Sequence, residues 1–287
     1  MRILVLSRTA WRKDNSFGNT YSNIFGNMEN IQIANIYLGD GIPDPDNKNV
    51  ESYYCISEKE MTKSILKPRK KSNQVGTRVV IDGAEKGSAI EENYEKAMVQ
   101  MKKKRWPLFY IARELVWKFG QTNLDDMMRF VNEFKPDVIF LSFYYAAYVD
   151  RIALYIKSKI DIPLVLEAAI DIYSLKQLSF DPFFWINRFN IRRMIRKTVK
   201  KSEKLYVISE KMKRDYERML HINCGVLYKF PDRGRKQHDY LDAKVPLNFL
   251  YAGNIGVGRW KSLAVLGTYL ERSQVLLYLI QLRVQSL

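Results

Sequence analysis

Two loops, each directly after a predicted β-strand, contain the glycine, amide and cationic residues that suit a phosphate or sugar ligand. The first, after the apolar run at 3–7, offers Gly18, Asn19 and Thr20, and the second, after the run at 247–251, offers Gly253, Asn254, Gly256, Arg259 and Lys261. Glycine lets the backbone approach a ligand, and a helix N-terminus presents unpaired N–H groups and a positive dipole. An ordinary strand–helix turn is the alternative for both loops. The second spacing matches neither the dinucleotide fingerprint nor the P-loop.

Two carboxylates are placed where a general base would be useful. The strand predicted from Pro163 ends at Glu167, and Asp171 follows four residues later. The carboxyl ends of parallel strands face the cleft in which open α/β sheets bind ligands, so either carboxylate is placed to accept a proton from an attacking hydroxyl. Helix capping, or a salt bridge to nearby arginines, explains the same residues without catalysis.

A long helix predicted at about 183–202 separates apolar from cationic side chains. Its apolar face contains Phe184, Ile191, Ile195 and Val199, and its cationic face contains Arg192, Arg193, Arg196, Lys197, Lys200 and Lys204. Aromatic residues at 180–186 precede it, and a second basic segment followed by aromatic residues occurs at 102–110. A cationic helix with an aromatic end is typical of segments that lie on anionic lipid. The alternative is a core helix whose basic side faces solvent.

Composition excludes several classes of protein. The 287 residues include 47 Lys+Arg against 31 Asp+Glu, a formal net charge of +16, so negatively charged partners are expected. Two cysteines, Cys55 and Cys224, and two histidines supply neither a disulfide framework nor a zinc site. The longest apolar run, at 138–149, is too short to cross a bilayer, and the N-terminal run is too short for a signal peptide. We expect a cytoplasmic protein, and no motif favours nucleic acid.

Short β-branched runs alternate with helical patterns along most of the chain. The predicted strands lie at 3–7, 31–38, 53–57, 136–142, 163–167, 205–208, 224–228 and 247–251, and the predicted helices at about 89–102, 106–119, 123–134, 146–159, 183–202, 209–220 and from 260 onward. This alternation predicts an α/β protein with a Rossmann-like parallel sheet covered on both faces.

A change of composition divides the chain. The polar segment at 231–246 predicts a linker between a first domain at 1–230 and the start of a second at 247–287. An independent α/β domain usually needs about 100 residues or more. We therefore expect the second domain to be incomplete.

Several segments together resemble the GT-B glycosyltransferases, specifically the glycosyltransferase family 4-like proteins of bacterial surface and capsular polysaccharide synthesis. They are the opening strand and loop at 3–20, the segments at 170–173 and 184–188, Leu205-Tyr-Val-Ile-Ser-Glu-Lys-Met-Lys-Arg-Asp-Tyr216, and Phe249-Leu-Tyr-Ala-Gly-Asn-Ile-Gly256. The resemblance covers about residues 1–270. It implies two Rossmann-like domains facing a cleft. The first would hold the acceptor, and the second would hold a nucleotide-sugar without a metal or other cofactor.

The resemblance also implies roles for individual residues. In this family the loop after the first strand of each domain faces the diphosphate and the acceptor, which carries over to Gly18, Asn19, Thr20, Gly253, Asn254, Gly256, Arg259 and Lys261. Family members often place a His or Asp where this chain has Asp171, which is therefore the implied catalytic residue. The family's paired-glutamate motif, which holds the ribose and donor sugar, has no counterpart before residue 287. We expect a truncated transferase with weak or no activity.

The implied partners are a nucleotide-sugar donor and a lipid-linked or polysaccharide acceptor. Together with the basic helix they lead us to expect a cytoplasmic protein that associates peripherally with the inner face of the plasma membrane. Two other functions stay open. The chain is alternatively a non-catalytic module that docks on the membrane surface within a polysaccharide synthesis complex. The second glycine loop would also suit S-adenosylmethionine in a methyltransferase, but such a loop normally opens a full sheet, and only about 30 residues follow it here.

Overall fold

The computed structural model describes residues 1–45, 47, 50–80, 107–228, 248–252, 259–272 and 276–280. The chain divides into two units, unit 1 at Met1–Pro231 and unit 2 at Asp232–Leu287. The helix predicted at 89–102, the basic segment at 102–105 and the linker predicted at 231–246 lie outside the described residues.

Eight strands form one sheet in the described part of unit 1. In chain order they are β1 (Arg2–Ser7), β2 (Gln32–Tyr37), β3 (Val50–Cys55), β4 (Thr77–Val79), β5 (Val138–Ser142), β6 (Leu164–Ala168), β7 (Lys204–Val207) and β8 (Cys224–Val226). Their order across the sheet is β4-β3-β2-β1-β5-β6-β7-β8. The short edge strand β4 pairs antiparallel with β3, and the other neighbours pair in parallel. The predicted α/β class with a Rossmann-like parallel sheet is confirmed.

Seven α-helices are described in unit 1, and most of them begin where the sequence supplies a side-chain cap. They are α1 (Ser16–Phe25), α2 (Glu58–Ser64), α3 (Pro107–Phe119), α4 (Leu124–Phe134), α5 (Ala147–Lys159), α6 (Pro182–Val199) and α7 (Glu210–Leu220). The side chains of Asn15, Asp181 and Ser209 each accept a hydrogen bond from a backbone N–H in the first turn of α1, α6 and α7. Such caps satisfy N–H groups that have no partner within the helix.

Strand β1 lies inside the sheet, between β2 and β5, and pairs in parallel with both. Leu4 and Leu6 face one apolar cluster, which includes residues of α4 and α5, whereas Ile3 and Val5 face another, which includes residues of α1. The chain adds β2 and β3 on one side of β1 and β5 to β8 on the other. Such a reversal of strand order opens a crevice at the carboxyl ends of the strands, where open α/β sheets bind ligands.

Two short elements of unit 1, α2 and β4, are absent from the sequence-based prediction. Residues of β4 are mostly exposed, so the strand lacks the apolar alternation that marks a half-buried strand. Helix α2 has seven residues, too few to be stable alone. It is held by tertiary contacts, because Met61 is buried and the Glu58 carboxylate forms a buried ion pair with Arg113 of α3.

The described part of unit 2 is one β–α–β element. It consists of β9 (Asn248–Ala252), α8 (Arg259–Arg272) and β10 (Leu276–Ile280). The two strands are parallel, with Leu276 opposite Asn248 and Ile280 opposite Ala252. The predicted strand at 247–251 and the helix predicted from residue 260 are confirmed, whereas β10 was not predicted. Its residues form a continuous apolar run, from which periodicity does not distinguish strand from helix.

A buried carboxyl group lies where α5 packs against α6. Asp150 of α5 is 2% exposed, and its Oδ1 accepts a hydrogen bond of 2.8 Å from the Thr198 hydroxyl of α6. Burial, the largest effect, raises the pKa of Asp150 to about 7, and the charge of Glu114 adds to the rise. The hydrogen bond from Thr198 and the charge of Arg151 act in the opposite direction.

The raised pKa of Asp150 makes the stability of unit 1 depend on pH. A carboxyl group that binds its proton more tightly when folded stabilises the protein fully below the unfolded pKa, and this stabilisation is lost as pH rises through the folded pKa. The Asp150→Asn variant removes the ionisation. Between pH 5 and pH 8 we expect wild type to lose stability that the variant keeps. The variant's free energy of unfolding minus that of wild type should therefore be larger at pH 8 than at pH 5, by on the order of 2 kcal/mol.

Urea unfolding of both proteins at pH 5 and pH 8 measures this change. Asp161→Asn is the control, because Asp161 is fully exposed, and its difference from wild type should stay constant between the two pH values. A wild-type to Asp150→Asn difference that is equal at both pH values would contradict the assignment.

Candidate functional site

An open cleft of about 400 Å³, the edge cleft, lies beside the carboxyl ends of β5 and β6. Its walls come from the loops after those two strands and from α3 and α6. The lining residues are Pro107, Tyr110, Tyr145, Ile170, Gln177, Phe184, Asn187 and Arg188. Three aromatic rings supply flat apolar surface, while two amides and one guanidinium supply hydrogen-bond donors. An apolar wall with a few placed polar groups is typical of small-molecule sites.

Three arginines of α6, the arginine ladder, bind the loop that follows β6. Arg188 donates to the carbonyl oxygen of Ser174, Arg192 donates to the carbonyl oxygen of Tyr173, and the Nε of Arg196 donates to the Tyr173 hydroxyl at 2.6 Å. The three are spaced four residues apart, which places them along one side of the helix. Within the part of the chain that the structure describes, no carboxylate forms an ion pair with any of them.

The ladder concentrates positive charge. The guanidinium carbon of Arg192 lies 4.1 Å from the centre of the Tyr173 ring, a cation–π contact. Burial lowers the pKa of Arg192, and although Tyr173 raises it, the charges of Arg196 and Arg188 lower it further. The charges of Arg188 and Arg196 therefore destabilise the charged form of Arg192, and a bound anion would offset this repulsion.

Asp171, the implied catalytic residue, lies in the loop after β6 and is not among the described residues that line the edge cleft. Its carboxylate accepts hydrogen bonds from the Ser174 N–H at 3.0 Å, the Ser174 hydroxyl at 2.5 Å and the Tyr216 hydroxyl at 3.3 Å. Partial burial raises the pKa of Asp171, but the hydrogen bonds and the charge of Lys176 outweigh it, so the net pKa is lowered. Asp171 is ionised at neutral pH, and its three donors reduce its basicity while they fix the loop.

Glu167, the other carboxylate considered above, is buried at the end of β6, with 2% of its surface exposed. The Ser142 hydroxyl of β5 donates a hydrogen bond to it. Beside this pair, the hydroxyls of Tyr21 and Tyr144 share a hydrogen bond, and burial raises the pKa of both tyrosines. These buried polar contacts hold the ends of β5 and β6 and α1 in place.

Gly18 contacts the preceding loop of its own unit. Its N–H donates to the Asn15 side chain at 2.7 Å, which caps α1. A Cβ atom at position 18 would lie 2.0 Å from the carbonyl oxygen of Arg12, so glycine is required where the loop after β1 crosses the helix. The N-capped turn considered above is therefore the local structure.

Asn19 and Thr20, the other candidates in this loop, make hydrogen bonds along α1. The Asn19 side-chain oxygen accepts from the Asn23 amide at 2.7 Å, and the Thr20 hydroxyl donates to the Ser16 carbonyl at 2.8 Å. Asn19 is exposed and Thr20 is half-buried. None of the three first-loop candidates lines the edge cleft as described.

The candidates of the second loop lie in unit 2. Gly253, Asn254 and Gly256 are outside the described residues. Arg259 is the first residue of α8, and Lys261 is exposed in its first turn, with its Nζ 5.9 Å from the centre of the Trp260 ring. Both cations therefore lie at the start of the helix that was predicted to follow the second loop.

The sequence analysis named Phe184 and the segments at 170–173 and 184–188, but it predicted no binding cleft from them. A signal was present, because Arg188 falls on the same helical stripe as Phe184, Ile191 and Ile195, which are four or three residues apart. A charged residue within an apolar stripe indicates a buried charge. Arg188 is indeed 2% exposed, while Ile191 and Ile195 are each 1% exposed. The contribution of Tyr145 has no local signal, since it depends on strand order.

A set of exposed apolar side chains, the apolar rim, lies close in sequence to the cleft residues. It consists of exposed side chains in the loop after β6 and on α6: Leu175, Leu178, Phe180, Phe183, Ile186 and Phe189. Further along α6, a basic groove of about 310 Å³ is lined by Phe189, Arg192, Arg193, Arg196, Lys197 and Lys200. Among the described helices, none combines the length and apolar character needed to cross a membrane.

No protein-family model and no curated protein sequence matches the chain. Among solved structures, Arabidopsis thaliana UGT89C1 complexed with UDP-L-rhamnose is similar, with a TM-score of 0.44, 13% identity, and coverage of 99% of this chain and 67% of that chain. UDP-GlcNAc 2-epimerase from Methanocaldococcus jannaschii has a TM-score of 0.42 at 13% identity, covering 99% and 67%. The N-terminal domain of Candida albicans trehalose-6-phosphate phosphatase has 0.45 at 10%, covering 97% and 64%. The chain spans about two thirds of the length of these proteins.

Replacement of Gly18 tests the close approach at the start of α1. In Gly18→Ala, the new Cβ would overlap the Arg12 backbone, which has little freedom to move. We expect a loss of about 2–3 kcal/mol in the free energy of unfolding, typical of overpacking. Urea unfolding followed by tryptophan fluorescence measures it.

Gly267→Ala is the matched control, because a Cβ at position 267 meets no atom within 4 Å. Alanine is favoured over glycine within a helix by up to about 1 kcal/mol, so this variant should lose no stability. Equal unfolding midpoints for Gly18→Ala and wild type would contradict the role of Gly18.

Proposed function

We propose that the protein is a glycosyltransferase of the GT-B type, in which unit 1 binds the acceptor and unit 2 binds a nucleotide-sugar donor. The observation that supports this most directly is the repeated organisation of the two units. In unit 1, β1, α1 and β2 form a β–α–β element with parallel strands, and β9, α8 and β10 form another in unit 2. Two such elements in one chain coincide with two of the segments that carry the sequence resemblance, at 3–20 and 249–256.

The edge cleft suits an acceptor. Tyr110, Tyr145 and Phe184 offer rings against which a sugar or a lipid chain packs, and the amides of Gln177 and Asn187 offer hydrogen bonds to hydroxyl groups. The cleft lies at the carboxyl ends of β5 and β6, next to the reversal of strand order at β1. Open α/β sheets bind their ligands at this edge.

The donor is proposed to bind at the second glycine loop. Backbone N–H groups around Gly253 and Gly256, together with Arg259 and Lys261, would neutralise a diphosphate without a metal. Asp171 is proposed as the carboxylate that assists the acceptor hydroxyl. Its lowered pKa keeps it in the ionised form at neutral pH.

Ligand-dependent stabilisation tests the donor assignment. We expect nucleoside diphosphates and UDP- or GDP-sugars to raise the melting temperature of the full 287-residue chain, because a ligand of the native state stabilises it by mass action. Arg259→Ala with Lys261→Ala should weaken this binding by about tenfold or more, since two cations are lost from a charge-assisted contact.

Lys211→Ala, an exposed lysine of α7, is the control and should leave the response unchanged. Stabilisation by S-adenosylmethionine in place of the nucleoside diphosphates would favour the methyltransferase alternative and refute the donor assignment. Transfer of labelled sugar to a lipid-linked or polysaccharide acceptor, measured in the same preparation, reports activity separately from binding.

A second function, docking on an anionic membrane surface, is favoured by the apolar rim. Phe180 is fully exposed and Leu178 is 83% exposed, in the loop that leads into the cationic helix α6. Exposed apolar side chains beside clustered cations fit the boundary between headgroups and acyl chains. Such a surface would bring a lipid-linked acceptor to the edge cleft, or would act alone in a non-catalytic module of a synthesis complex.

Vesicle flotation tests this surface. Wild type should float with vesicles containing phosphatidylglycerol and not with purely zwitterionic vesicles, because anionic headgroups attract the basic face. Leu178→Ser with Phe180→Ser should lower the bound fraction several-fold, since two apolar side chains that would enter the membrane interface are lost.

Leu66→Ser is the control, because Leu66 is 91% exposed but lies outside the rim. Equal flotation of the double variant and this control would exclude the rim from membrane contact.

A further inference from the structure

Arg188 is a buried cation that lacks a counter-charge in the described structure. Its side chain is enclosed, with 2% of the residue exposed, and no described carboxylate pairs with it. Its two terminal nitrogens donate to neutral oxygens, one to the Tyr145 hydroxyl at 3.0 Å and one to the Ser174 carbonyl. Its Nε has no hydrogen-bond partner among the described residues. The positive charge is therefore stabilised by neutral dipoles and by the Tyr145 ring, whose centre lies 5.7 Å from the guanidinium carbon.

A second buried arginine shows what the fold does when a guanidinium is purely structural. Arg113 of α3 is 6% exposed, and the Glu58 carboxylate of α2 forms an ion pair with it. Some nitrogens of Arg113 also lack hydrogen bonds, so the contrast with Arg188 lies in the charge. One buried arginine of unit 1 has its anion within the chain, and the other lines an open cleft.

Burial of an unpaired charge is costly, typically by several kcal/mol even after relaxation. A fold retains such a group at low cost when a ligand of opposite charge completes the pair. Arg192 and Arg196 raise the electrostatic cost further, because they bring two more cations to the same side of α6. Asn187, which also lines the cleft, is 8% exposed and brings an amide donor to the same wall.

We propose that the edge cleft binds a phosphate group, as a phosphate monoester or diester, with Arg188 as the cation that faces it and Asn187 as a neutral donor beside it. Phosphate suits this site because the guanidinium fork matches its oxygens in a bidentate contact. The aromatic walls formed by Tyr110, Tyr145 and Phe184 take the organic part of the ester. The inference rests on the proposed function in one respect, that the ester is the acceptor of sugar transfer.

Titration of the full chain with inorganic phosphate, followed by thermal shift and by calorimetry at constant ionic strength, tests the site. We expect saturable binding and a rise in melting temperature. Arg188→Gln should weaken phosphate binding by about tenfold or more, because the charge-assisted contact is lost.

A second variant, Asn187→Asp, avoids dependence on the folding of Arg188→Gln. It is nearly isosteric and places a carboxylate on the cleft wall, so the chain supplies the missing negative charge. We expect it to abolish the phosphate response while its melting temperature without phosphate is equal to or above that of wild type. A structural role for Arg188 alone would leave the phosphate response of Asn187→Asp intact, and that result would overturn the proposal.

Arg193→Gln is the matched control, since Arg193 is exposed on the same helix, in the basic groove and outside the cleft. Its phosphate affinity should stay within about twofold of wild type, as for a distant, screened charge. Equal losses in Arg193→Gln and Arg188→Gln would show general attraction to a basic surface and would overturn the site.

Two probes distinguish the source of the phosphate. Vesicles with phosphatidic acid present the group on a lipid, whereas glycerol 1-phosphate presents it free in solution. Binding to either probe that is lost in Asn187→Asp supports the site and identifies its source, and binding to neither overturns it. Because nucleoside-diphosphate stabilisation through Arg259 and Lys261 is measured separately, failure of the donor assignment and failure of this site give different results.

Discussion

Parallel pairing of β1 with both β2 and β5 is the constraint on which unit 1 depends. A strand inside a parallel sheet that helices cover on both faces must be apolar on both faces, and β1 meets this requirement with alternating residues in two separate clusters. Because the chain then adds strands outward in both directions, the loops after β5 and β6 fall at one edge of the sheet. The edge cleft exists at this edge because strand order brings Tyr145 and Ile170 together from positions 25 residues apart.

Helix α6 provides the polar and charged groups at that edge, and three of its sides have different environments. Its apolar stripe, with Ile191 and Ile195, is buried in the main apolar cluster of unit 1, and its exposed side carries the basic groove. Between them, the arginine ladder reaches the loop after β6 and donates to backbone and tyrosine oxygens. The ladder orders this loop without neutralising its own charge, which leaves positive potential where a ligand enters.

The periodic elements of the fold were predictable from sequence, and the site was not. Strands and helices with clear alternation or clear caps, such as the helix that Ser209 begins, lie within a few residues of their predicted positions. Elements held by tertiary contacts, such as α2 with its Glu58–Arg113 pair, carry no local pattern. Gly18 was predicted to let a ligand approach the backbone. In the fold the Arg12 backbone approaches it instead, and residue spacing does not reveal this contact. Arg188 lies on an apolar stripe that is visible in the sequence, but only its hydrogen-bond partners in the fold show that it lacks a counter-charge.

The loop after β6 connects the proposed phosphate site to the proposed membrane surface. At one end, Ser174 accepts a hydrogen bond from Arg188, and at the other, Leu178 and Phe180 project into solvent. An anion bound to Arg188 would relieve the repulsion within the ladder and so hold Ser174 and its neighbours more firmly. A lipid surface that buries Phe180 would order the same loop from its other end. Two ligands that each order one segment favour each other's binding by the same free energy, so phosphate recognition and membrane contact are expected to be reciprocal.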